Sequence, residues 1–282
     1  MPAFLTHRAA GERVLEKLGD GVIANKGAFY LGCQGPDILF FRNYYPWKSA
    51  KDSLRLGIAM HHEKVRTLFT KGLEYVKAYK KKDADELISY FAGFITHYAI
   101  DKNAHPFVFG KSGSNNNIHH AIEFMWDSYS AKEQWDIEPN EFDIHGDVMY
   151  KTLGAGISGW YQAMAKDVYD HTIHPLVMLQ AQKHFARAKK ALADINWPTR
   201  MLMNIISYIT GMDVSTMMYP EVRDHSLFTG EEYLHMRQMI ERGVAEAADM
   251  IRFVLKAIGS KTETVLPAWF GDINFSGKVG AE

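Results

Sequence analysis

His97, Asp101 and His105 follow one another at intervals of four, and His119 and Glu123 repeat that interval after a stretch rich in Gly, Ser and Asn. Residues four apart in an α-helix lie one above the other, so the first three would point one way and the other two would share a face of a second helix. Imidazole and carboxylate ligands without a thiolate suit zinc, or a similar divalent ion, held for chemistry. With 13 histidines in 282 residues, some pairs at this interval arise by chance. A single such pair on a helix surface is worth only a few tenths of a kcal/mol. The surroundings carry more weight. Tyr90, Phe91, Phe94, Ile95, Tyr98 and Ile100 make this helix apolar around most of its circumference, which predicts burial. Burying Asp101 without a counter-charge costs several kcal/mol, no arginine stands nearby in sequence, and a bound cation would offset the cost.

Three further candidates lie upstream. Asp37 closes Gly32-Cys33-Gln34-Gly35-Pro36-Asp37, where two glycines and a proline predict a turn that presents the carboxylate. His61 is approached by Ile58 and Met60, whereas His62 leads into Glu63-Lys64 and reads as its solvated neighbour. His7 stands early in a short amphipathic segment. His120, three residues before Glu123, faces away from His119 and suits an outer role. His145, His171, His174, His184, His225 and His235 lack a carboxylate at matched spacing and read as structural or surface residues.

The elements that must position these residues are helical. Thr6 or His7 starts a helix of about three turns that ends at Gly19 and Gly21. From Asp52 to about Ala104 the apolar period is helical almost throughout, broken at Lys80-Lys81-Lys82-Asp83. Pro106 is expected to end the ligand-bearing helix and 110–117 to form a loop. Helical segments follow near 158–171, 176–193, 199–211 and 230–258, the last opened by a Thr229/Glu232 capping box. Period-two alternation is nearly absent and no low-complexity linker divides the chain. The expectation is therefore a single all-α domain, residues 1–282, with the loops at 19–50, 105–117 and 136–157 gathered around a site.

Composition narrows the function classes. Thirty-two basic and 33 acidic residues leave a formal net charge of −1, so no bulk field draws nucleic acid or anionic membranes. The lone Cys33 excludes an internal disulfide or a zinc site built on several cysteines, and fits a reducing compartment. No apolar run of signal-peptide or membrane-spanning length is visible, so a cytoplasmic location is expected, with any lipid met from the water side.

Taken in order, Thr6-His7, Gly35-Pro36-Asp37, His61, His97-xxx-Asp101, His105 and His119-xxx-Glu123 resemble the zinc-dependent phospholipase C and P1-nuclease group over roughly residues 6–125. The resemblance implies an all-helical multi-helix bundle carrying two or three zinc ions. It implies one zinc on Asp37, His61, His97 and Asp101, a second on His105, His119 and Glu123, and Asp101 bridging towards a third near His7. The activity implied is phosphodiester hydrolysis by metal-activated water, with Asp37 orienting or deprotonating that water as well as ligating. Phospholipid is the expected substrate, met in transient contact with a membrane surface. The alternatives are a nuclease-like or small-molecule phosphodiesterase, and a non-enzymatic protein in which metal contributes only folding energy. The aromatic run from Phe40 to Trp47 suits lipid or base contact, or a plug over the bundle.

Overall fold

The computed structural model describes residues 4–43, 51–144, 146, 153–193, 198, 201, 204–205, 207–208, 228–262 and 264–279. Among the described residues the chain is all-α. Its helices are α1 (Phe4–Leu18), α2 (Lys26–Gly32), a 3-10 helix η1 (Gly35–Phe41), α3 (Lys51–His62), α4 (Val65–Ala78), α5 (Ala84–Ser112) and α6 (Asn116–Trp135). After a short 3-10 turn, η2 (Pro139–Glu141), come α7 (Ala155–Asp167), α8 (Val177–Ala193) and α9 (Gly230–Gly259). Tyr44–Trp47, His145, His225 and most of 199–211 lie outside the described residues.

α5 is the central element. Tyr90, Phe91, Phe94, Ile95 and Tyr98 are buried on it, as its all-round apolar sequence predicts, with Phe69 of α4 and Trp160 of α7 packed on the same rings. α9 runs along one side of α5 and α2 along another. The α2 approach is backbone to backbone: a Cβ on Gly32 would meet the Tyr90 carbonyl, and one on Gly93 the Phe29 carbonyl. A smaller apolar cluster, Ala104, Val108, Ile122, Trp126, Met236 and Met239, joins the far ends of α5, α6 and α9. His97, Asp101 and His105 span the stretch of α5 where the larger cluster, which runs to Ile100, gives way to the smaller, which starts at Ala104.

The break at Lys80–Asp83 and the Thr229/Glu232 capping box stand as expected. Several boundaries differ: the expected loop at 19–50 holds α2 and η1, and α7 covers Ala155–Asp167 where 158–171 is expected. α1 begins at Phe4, because the carboxylate of Asp127 on α6 accepts from Thr6 N (2.8 Å), Thr6 Oγ1 (3.1 Å) and the Leu5 amide. This cap comes from far along the chain. α5 runs through Pro106 to Ser112, so the loop shrinks to Gly113–Asn115. A proline removes one helical donor, and here burial of His105 and Val108 on the flanking turns keeps the helix going. Asn115 then caps α6 by accepting from the amides of Asn117 and Ile118.

After α9 the chain returns as an irregular segment, 264–279, across α4 and α5. Arg66 holds it by donating to the carbonyls of Leu266, Pro267, Ala268 and Phe270. Ile273 and Val279 form one antiparallel bridge at its tip.

Candidate metal centre

Eight sequence candidates converge from five elements. His7 comes from α1, Asp37 from η1, His61 from α3, His97, Asp101 and His105 from α5, and His119 and Glu123 from α6. They form three groups in each of which the ligand atoms lie within 4.8 Å of one another: His7, Asp37 and His97; His61, His97 and Asp101, which shares His97 with the first; and, separate from both, His105, His119 and Glu123. His7 thus reaches Asp37 and His97 as well as Asp101. All eight are almost fully buried, whereas His62 is exposed.

The two aspartates join the histidines. Asp37 lies 2.9 Å from Nε2 of His61 and 3.7 Å from Nε2 of His97. Asp101 lies 3.1 Å from Nε2 of His7, 3.2 Å from Nε2 of His97 and 3.7 Å from Nδ1 of His105. Glu123 lies 2.9 Å from Nε2 of His119 and 3.4 Å from Nε2 of His105, with His120 at 3.8 Å on its other oxygen.

Backbone carbonyls fix the ring orientation. Nδ1 of His61 donates to Gly57 O (2.6 Å), that of His97 to Cys33 O (3.1 Å) and that of His105 to Phe275 O (2.7 Å). A carbonyl only accepts, so each of these rings carries a proton on Nδ1 and turns Nε2 towards the centre. Residue-type patterns gave no sign of these three acceptors, because a carbonyl belongs to any residue. Of Cys33 it is the backbone oxygen that serves the site.

The electrostatics favour a cation. Burial alone would raise the pKa of Asp101, but His97, His105 and His7 hold it well below the usual carboxylate range. Burial likewise works against protons on His61 and His105, yet Asp37 raises the one, while Asp101 and Glu123 push the other up to about 9. His97, where burial dominates, shifts downward. The carboxylates therefore draw protons onto two of the imidazoles, a demand that a divalent ion would meet. The hydrogen bonding agrees: both oxygens of Asp37, Oδ2 of Asp101 and Nε2 of His97 are buried and face only one another and the neighbouring imidazoles, with no hydrogen-bond partner outside the cluster among the described residues. Buried polar atoms of native proteins are seldom left so, and inward-facing imidazole and carboxylate atoms fit zinc.

A family model described as zinc dependent phospholipase C matches residues 6–171, a span that contains all eight residues. The chain belongs to the zinc-dependent phospholipase C family. No curated protein and no solved structure matches it. Membership in a zinc-dependent phospholipase C family agrees with the donor set, and the class acts on phospholipid. Among the described residues no helix is long and apolar enough to cross a membrane.

The other described histidines sit elsewhere. His171 contacts the Asp52 carbonyl, His184 accepts from the Asn43 amide, His174 accepts from the Leu176 amide and His235 packs on Phe107. Of the aromatic run, Phe40 stacks on His61 with ring centroids 5.4 Å apart, and Phe41 is buried against Phe185.

Proposed function

We propose that the chain is a zinc-dependent phosphodiester hydrolase acting on phospholipid, with His7, Asp37, His61, His97, Asp101, His105, His119 and Glu123 as the ligands of two or three ions. The observation that carries this reading is the buried set of inward-facing oxygens and nitrogens within the family's span, which meet only one another. When bound, zinc supplies polarisation of a phosphoryl oxygen and a lowered pKa for water. The chain's own residues do the rest. Gly57, Cys33 and Phe275 carbonyls aim the imidazoles, so little reorganisation is needed when substrate arrives. Asp37, held on a 3-10 turn against His61, is assigned to orient or deprotonate the attacking water. Phe40, stacked on His61, gives that side of the centre an apolar wall suited to a lipid.

Eight ligand candidates exceed what one closed structural zinc requires, which supports an open catalytic centre over a purely structural one. The near-neutral net charge supports phospholipid over long nucleic acid, which calls for a basic track. We also infer that residues 1–282 form one domain, since α9 from the C-terminal part packs along α5. Zinc-loaded protein should hydrolyse micellar phosphatidylcholine well ahead of single-stranded DNA and of bis-p-nitrophenyl phosphate. Preference for DNA would move the reading to a nuclease, and inactivity on all three to a structural metal protein.

A further inference from the structure

We propose that the segment Leu266–Val279, which lies beyond the residues matched by the family model, is a strap that positions the ligand histidines through Phe275. The inference rests on the reading of these histidines as zinc ligands. Phe275 is fully buried and touches three of them. Its carbonyl accepts from Nδ1 of His105 (2.7 Å), and its amide donates to the carbonyl of His61 (3.1 Å). Its ring packs on His61 and His97, with centroids 5.1 and 5.7 Å away. One residue thereby couples two neighbouring groups. His105 faces His119 and Glu123, whereas His61 and His97 lie with Asp101.

The strap is itself held in ways that avoid the ligands. The Arg66 guanidinium donates to four strap carbonyls, the nearest at 2.8 Å on Leu266. Tyr98 Oη donates to the Ile273 carbonyl (2.7 Å) and accepts from the Gly271 amide (3.2 Å). At the tip, Gly277 has φ +70° and lies so close to α5 that a Cβ would fall 2.4 Å from Cγ of Pro106. The strap therefore docks where Pro106 interrupts the helical ladder of α5. Groups that orient a metal-ligating histidine through its second nitrogen typically alter metal affinity 10–100-fold when removed.

The test is zinc affinity, by chelator competition, and the visible spectrum of the cobalt-substituted protein, for wild type, Arg66→Ala and Phe275→Ala. Arg66→Ala releases the strap without touching a ligand, and Phe275→Ala keeps the main-chain bonds to His105 and His61 but removes the ring that packs on His61 and His97, so we expect losses of about 10-fold or more in both, towards about 100-fold where the carbonyl itself moves off His105. Both should change the cobalt spectrum. The rise in melting temperature on adding zinc should shrink in both variants, beyond any change in the zinc-stripped proteins. A merely structural role would lower the stripped and loaded proteins alike. Should Phe275→Ala not fold, Arg66→Ala decides. Wild type without zinc would overturn the ligand reading itself. Zinc-binding wild type, with variants of unchanged affinity and spectrum, would overturn the strap alone.

Discussion

Gly35 lies directly against the imidazole of His97: a Cβ at this position would fall 2.2 Å from Cδ2 and 2.5 Å from Cγ of the ring. Its φ of +51° is also one that side chains rarely adopt. Gly35→Ala must therefore displace the His97 ring. We expect about 100-fold lower activity and about 1–3 kcal/mol lower stability. Steady-state kinetics and denaturant unfolding check this, and an Ala variant with wild-type turnover would show that His97 need not stay where it is.

The turn that carries Gly35 was legible in the sequence, as were the eight ligand candidates, because side-chain type and helical spacing encode both. His61 was separable from His62, although of the two apolar residues read as its approach Met60 is buried and Ile58 is exposed. What the sequence hid is carried by backbone or by distance. The carbonyls of Cys33, Gly57 and Phe275 leave no residue-type signal. The cap on α1 comes from Asp127, 121 positions beyond Thr6. Pro106 reads as a stop until the packing of its neighbours is known. The strap has no periodicity at all, since Arg66 and Tyr98 hold it by its main chain.

Asp101 faces three histidines, His7, His97 and His105, and its negative charge is common to all of them. Asp101→Asn keeps the shape and removes the charge. Metal analysis of protein purified without added zinc should find about two to three ions per chain in wild type. The variant should hold fewer, with activity lower by about 100-fold or more. Full zinc content with full activity in the variant would remove Asp101 from the centre.

Zinc-stripped protein should show a pH dependence set by His105. Its pKa is raised from 6.5 to about 9 despite burial, chiefly by Asp101 and Glu123. A raised folded-state pKa stabilises below the unfolded value, so this contribution is present in full below 6.5 and is lost as pH rises towards 9. Zinc must displace the same proton, so its apparent affinity should rise across that window. Denaturant midpoints and zinc titrations on either side of the window test both signs. Stability of the stripped protein that does not fall between these limits would contradict the assignment.

The central claim is that zinc held by these eight residues hydrolyses a phospholipid. Release of the phosphorylated head group from phosphatidylcholine, followed before chelation, after chelation and after zinc is returned, tests it most directly. Release should vanish on stripping and return with zinc. Release that survives complete removal of the metal, or none from fully loaded protein, would contradict it.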